Sequence, residues 1–258
     1  ELHGEHDLYG HEFCIYDPLV NVPLLVKAPG LEAERDESTQ VELLDLYHTV
    51  LDYAGVDPGD DRTAAGGGTT AATAGAAGEP LDPARSLLSA DYRDFAATSG
   101  SDRTRFSAHA DGELDDVAFV DYHRPVVELR QLESKASDAG ITLDTESRFY
   151  SRMRAARRTD AKYIRNERIP DEAYRLDRDP GETENLASEA RSAADDASGS
   201  ETRERDGDDA AAIGGVESAL TVFEGEVDGE WDDVGDEDVL DDMGDEAKDR
   251  LQDLGYLE

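Results

Sequence analysis

Apolar positions recur along this chain in two rhythms, separated by long stretches that show neither. VPLLVKAPG (22–30) is a short apolar run, marked at its start by Pro23 and ended by Pro29-Gly30. Such a run between turn residues predicts a buried strand. Residues 41–54 then place Val41, Leu44, Tyr47, Val50, Leu51 and Ala54 at helical spacing. Thr39 with Glu42 reads as a capping box, and Gly55 stands where a helix C-terminus wants a left-handed residue. Strand, loop and amphipathic helix make an α/β signature. Further on, VAFVDY (117–122) predicts a strand, and residues 145–158 read as helical and basic. KYIRN (162–166) and EAYRLD (172–177) predict a hairpin joined by ERIP, and DPGE (179–182) a turn with Pro180 at its second position. EAKDRLQDLGYLE (246–258) predicts a terminal helix.

Between these elements the pattern fails. Residues 57–80 are rich in Gly, Ala and Thr and predict a flexible loop. Residues 188–245 are acidic and rich in Ala, Ser and Gly, with one apolar island at Val216, Leu220, Val222 and Phe223. They predict a largely disordered segment. Charge sharpens the picture: 63 acidic against 25 basic residues give a formal net charge of −38. That field argues against a nucleic-acid partner, which needs local Lys/Arg excess, and no polybasic membrane patch is present. Only four of the basic residues are lysine (Lys27, Lys135, Lys162, Lys248). Acid spread over the whole chain with so little lysine suggests adaptation to high salt, because at about 1 M the Debye length falls to 3 Å and self-repulsion is screened. One cysteine, Cys14, leaves no intramolecular disulfide framework and no multi-cysteine zinc site. No apolar run approaches transmembrane length, no secretory leader is in view, and a cytoplasmic location is expected.

The densest chemistry lies at the start. ELHGEHDLYGH holds His3, His6 and His11 beside Glu1, Glu5 and Asp7. Imidazole and carboxylate together suit zinc or manganese, but the helical HExxH pattern is absent. The stretch therefore reads either as a metal site or as the edge of a larger active site. His123 and Arg124, after the 117–122 strand, could reach an anionic pocket or simply end the strand before Pro125. Arg154, Arg157 and Arg158 could meet a substrate anion or pair with acids.

Several of these stretches together resemble the C-terminal part of the sulfatase family, within the alkaline-phosphatase-like superfamily. GEHDLYGH followed by YDPLVNVPLLVKAPG is similar to the family's Gly-Glu-His-Gly block, a Lys or His soon after it, and a Val-Pro-Leu strand. VELLDLYHTVLDYAGV resembles its next helix, and VDYHRP a strand ending Glu-Tyr-His-Arg-Pro. RAARRTDAKYIRN with EAYRLDRDPGETENLA resembles the family's arginine-rich strand, its Lys-Tyr strand and the turn of its small C-terminal sheet, and RLQDLGYLE its last helix. The resemblance covers residues 1–60, 116–187 and 246–258.

It implies an α/β fold: the C-terminal portion of an alkaline-phosphatase-like sandwich, with a mixed or parallel sheet edge and helices, plus a small antiparallel sheet with a terminal helix. Residues 1–56 would belong to the catalytic α/β domain, 57–80 to a flexible loop, 81–187 to its remaining elements and the small antiparallel subdomain. Residues 188–245 would form the disordered acidic segment and 246–258 the terminal helix. The resemblance further implies a metal-dependent sulfuric ester hydrolase acting on a small-molecule or glycan sulfate ester. His11 would be the catalytic group that assists the leaving oxygen, with His11, His6 and His123 facing substrate. No metal ligand is expected in this chain; the ligands of the divalent cation, Ca2+, would lie just upstream of Glu1. The nucleophile, a formylglycine made from Cys in C-x-P-x-R or a Ser in its place, is also expected upstream, since Cys14 in CIYDP lacks that Pro and Arg. On this reading the chain is a fragment, inactive alone. The alternatives are a phosphodiester or phosphonate hydrolase or phosphoglycerol transferase on the same scaffold, and a non-catalytic acidic remnant or binding protein.

Overall fold

The computed structural model describes residues 1–29, 40–55, 86–88, 117–187, 202–227 and Trp231. The loop expected over 57–80 and the terminal helix expected over 246–258 lie outside the described residues. The centre is a four-stranded antiparallel sheet in the order β3-β4-β5-β6, with β3 at Ala118–Tyr122, β4 at Met153–Arg157, β5 at Lys162–Asn166 and β6 at Glu172–Tyr174. In register, Phe119 faces Ala156, Ala156 faces Tyr163 and Tyr163 faces Ala173, while Val120, Ala155 and Ile164 form the adjacent row. Because side chains alternate across a strand, these two rows point to opposite faces. Both faces are covered.

On one face lies a 25-residue helix, α4 (Thr202–Glu226). (The helices in chain order are α1 Asp17–Val20, α2 Leu43–Tyr53, α3 Val126–Asp138 and α4.) Ile213, Val216, Ala219 and Leu220 of α4 are buried against Val117, Ala156, Ala161, Tyr163 and Ala173. Phe119 and Phe223 stack with ring centroids 4.4 Å apart. Charge fixes the helix at both ends: Asp208 and Asp209 pair with Arg175 and Arg178, and Glu224 pairs with Arg165 and Arg154. The Arg154 guanidinium also lies 4.4 Å over the Trp231 ring, a favourable cation–π placement. Residues 148–178 carry nine arginines and Lys162 against five carboxylates, so this acidic protein keeps a basic sheet that its own acids neutralise. Helix α4 occupies 202–226, within the 188–245 segment expected to be largely disordered.

The other face is covered by the N-terminal segment. β1 (Leu2–His3) and β2 (Tyr9–Gly10) form their own two-stranded antiparallel sheet around a 3-10 turn at Glu5–Asp7. Leu2, Cys14, Ile15 and Tyr16 pack on Met153, Ala155, Ile164 and Tyr174.

Further expectations meet the structure. Helix α2 forms as the periodicity predicts, and Gly55 follows it at φ 70°. Its capping box uses Glu42 and Asp45, three residues beyond the expected Thr39–Glu42 pair. The strand expected at 22–30 does not form: residues 22–28 are irregular, and Leu25 is 96% exposed. A strand exists by pairing, and among the described residues the strands pair only as two antiparallel sheets. The same fact corrects the expected mixed or parallel sheet edge. Residues 145–158, whose periodicity read as helix, hold one 3-10 turn (Arg148–Tyr150) and then β4, as the resemblance to an arginine-rich strand implies. No described helix is long and apolar enough to cross a membrane.

Leu43, Tyr47 and Val50 project from one side of α2 and are 82%, 56% and 65% exposed. An apolar stripe of this kind promotes association. Tyr47→Lys is expected to change folding stability by no more than about 0.5 kcal/mol while lowering self-association of the chain in light scattering. A clear drop in stability would show that the α2 stripe is covered in solution.

Candidate functional site

Two buried polar clusters join the N-terminal segment to the sheet. The first is built around Glu172 of β6. Its Oε2 accepts hydrogen bonds from the hydroxyls of Tyr16 (2.6 Å) and Tyr174 (2.7 Å), and its Oε1 from Arg148 Nη2 (2.7 Å) and Asn166 Nδ2 (3.1 Å). Burial alone would raise this carboxyl, but the Arg148 charge and the hydrogen bonds outweigh it and hold it below the usual carboxylate range. Both tyrosine hydroxyls are pushed up, first by burial and then by the neighbouring Glu172 charge. They remain neutral donors.

Above this cluster sits His6. Its ring stacks on Tyr16 with centroids 3.7 Å apart and an interplanar angle of 15°, and the Arg148 guanidinium carbon lies 5.1 Å from the same Tyr16 centroid. Burial, then the Arg148 charge, lowers the His6 pKa below its ordinary value. The turn that presents His6 is strained. His6 and Asp7 adopt φ of 55° and 59°, a left-handed geometry that costs a non-glycine residue about 1–3 kcal/mol and persists where the surroundings impose it. Gly4, at φ 124°, opens the turn; a Cβ there would lie 3.3 Å from the Tyr9 hydroxyl.

The second cluster is built around Lys162 of β5, which is fully buried. Its Nζ donates to the Ile15 carbonyl (2.6 Å) and Asp17 Oδ1 (3.1 Å), and it forms an ion pair with Glu182 Oε1 at 2.8 Å. Two hydrogen bonds and an ion pair thus hold the buried ammonium group. Arg157 grips Asp17 from Nε and Nη2 and Gln40 from Nη1. Burial would raise the Asp17 carboxyl, but the Arg157 hydrogen bond and the Lys162 charge hold it below the usual range. Glu182 behaves oppositely: burial pushes its carboxyl up, and Lys162 offsets this only in part.

The histidines expected to face substrate fall in three different settings. His6 is held as described. His11 follows β2 with its side chain 72% exposed and Nε2 3.5 Å from Glu12 Oε1. His123, 65% exposed, follows β3 with Nε2 3.8 Å from Asp121 Oδ1. Arg154, Arg157 and Arg158 pair with acids, Arg154 with Asp121 and Glu224, Arg157 with Asp17 and Arg158 with Asp160. Cys14 is buried, and burial pushes its thiol up, which makes it a poor nucleophile. Tyr16, Arg148, Lys162 and Glu172 do not stand out in the sequence. The one signal it carries for them is Lys162, a scarce lysine set between Ala161 and Tyr163 in a strand, where burial demands a partner. Among the described residues, no group of three or more His, Cys, Asp or Glu side chains is arranged to hold a metal ion.

Comparison with known proteins gives partial matches. The chain is similar to arylsulfatase K of Bos taurus, 39% identical over 56 residues, which is 22% of this chain and 10% of that protein. Arylsulfatase K of Homo sapiens matches at 39% over 56 residues with the same coverage, and that of Mus musculus at 39% over 57 residues, 21% of this chain and 10% of the relative. No family profile matches the chain, and no solved structure matches it. The chain thus spans about a tenth of the length of the curated relatives it matches.

Proposed function

We propose that these residues form a supporting part of a sulfatase-type hydrolase of sulfate esters. One observation carries this reading: the sequence stretches that resemble the family converge on one buried node. Lys162 of KYIRN meets Asp17 of YDP and Glu182 of DPGETEN, across 145 residues in the first case. Partial similarity to arylsulfatase K supports the same reading. In it His11, exposed at the end of the N-terminal hairpin, assists departure of the alcohol oxygen as a general acid or hydrogen-bond donor. His6 and His123 line the approach of the anionic substrate. Among the described residues no cluster fits a divalent cation, so these side chains are assigned no part in holding one. The one cysteine, Cys14, is buried in CIYDP and is assigned no nucleophilic role.

The test is hydrolysis of an aryl sulfate by the full-length protein in molar KCl. Turnover is expected, and His11→Ala is expected to lower kcat by about 10²-fold or more, the usual contribution of a general acid. Unchanged kinetics would remove His11 from the reaction. Cleavage of phosphodiesters but not sulfate esters would replace the substrate class.

A further inference from the structure

Of the three histidines expected to face substrate, His6 is the one this fold holds most closely, and the groups that hold it form a connected unit. The imidazole lies on Tyr16 at 3.7 Å, the Tyr16 hydroxyl donates to Glu172 at 2.6 Å, and Glu172 binds Arg148 at 2.7 Å. Arg148 in turn lies over the same Tyr16 ring. The backbone at His6 is left-handed, so the turn relies on these contacts to keep its shape. We infer that Tyr16, Glu172 and Arg148 act as positioning residues that fix the His6 ring and keep it a neutral hydrogen-bonding group. Its catalytic meaning rests on the sulfatase-type reading: a neutral imidazole meets a sulfate ester as a donor through one nitrogen, not as a cation.

The charges around His6 pull both ways. Arg148 opposes protonation, as does burial, whereas Glu172, Asp179 and Glu5 favour it. Glu172 has its charge already shared among Arg148, Asn166 and two tyrosines, and Glu5 commits a carboxylate oxygen to the His3 amide. Opposition wins. Two substitutions then act in opposite directions. Tyr16→Phe keeps the ring but frees it from Glu172, so the stack loosens, water reaches His6 and its titration midpoint rises. Glu172→Gln keeps the shape but leaves Arg148 uncompensated, so the midpoint falls further.

The experiment is a proton NMR titration of the His6 ring in the 258-residue chain at molar KCl, with the signal assigned by its loss in His6→Gln. A rise in Tyr16→Phe and a fall in Glu172→Gln are expected, with Tyr174→Phe, which touches the same Glu172 oxygen but not His6, leaving the midpoint in place. A merely structural role would loosen the turn in both variants and raise both midpoints, and that result overturns the inference. Should Glu172→Gln unfold, Tyr16→Phe decides alone, since a midpoint equal to wild type there refutes positioning through the hydroxyl. In the full-length protein the acid limb of kcat/KM should move with the NMR midpoints. Midpoints that move as stated without any sulfate ester hydrolysis would leave the positioning intact and remove the sulfatase reading.

Discussion

Lys162→Met is expected to destabilise the protein by about 3–5 kcal/mol, the cost of breaking a buried ion pair by removing one partner. Methionine nearly matches the length of lysine, so the loss reports charge and hydrogen bonding rather than a cavity. The Ile15 carbonyl loses its 2.6 Å donor, Asp17 keeps Arg157 as its cation but loses Lys162, and Glu182 keeps a fully buried carboxylate without a cation. Glu182→Gln in the same chain should recover part of the loss, because the remaining charge is then gone. Denaturant unfolding in molar KCl measures both, and a cost under about 1 kcal/mol for the single variant would contradict the node. The pH dependence has a fixed sign. Asp17 is held below the ordinary carboxylate range, so its contribution is full above the unfolded value of about 3.9 and is lost as pH falls through the folded one. Wild type should therefore weaken below about pH 4 more steeply than Lys162→Met does.

Leu220→Ala is the second large effect, expected within the roughly 2–5 kcal/mol typical of buried leucines. Leu220 is fully buried between α4 and the sheet. The buried cluster that holds it includes Ala156, Ala161 and Ala173 beside Val117 and Tyr163 on the sheet side. Alanines let the helix approach closely but cannot swing into a void, so the cavity persists and the cost lies toward the upper end. Ser218→Ala, at an exposed position of the same helix, provides the comparison and should change stability by about 0.5 kcal/mol or less. Equal effects of the two substitutions would mean that α4 is not docked in solution.

These residues also show what was legible beforehand. Helix α2, the β5–β6 hairpin and the Asp179–Glu182 turn, closed by the Glu182 amide on the Asp179 carbonyl at 3.1 Å, are local, and local signals announced them. Helix α4 was hidden by its setting. Ile213, Val216, Ala219, Leu220 and Phe223 follow a helical period, yet Gly214 and Gly215 interrupt it and acids flank it, so composition outweighed the pattern. The run at 22–30 has strand-like residues, but pairing is a property of neighbours, and no single segment encodes its neighbour. β4 misled for a related reason. The buried side chains at its start include Arg152 and Arg154, which look like a solvated face until Glu167, Asp121 and Glu224 arrive from elsewhere. The Glu172 cluster could not be read at all, because its members lie at 16, 148, 166, 172 and 174 and meet only after the N-terminal segment folds back.

That fold-back sets a timetable for synthesis. Asp17 must wait for Lys162, 145 residues downstream, and at about 5–20 residues per second a ribosome needs roughly 7–30 s to deliver it. During that interval Leu2, Ile15 and Tyr16 are without the four-stranded sheet on which they pack in the folded protein. Like-charge repulsion along so acidic a polypeptide would keep neighbouring nascent chains apart while each waits.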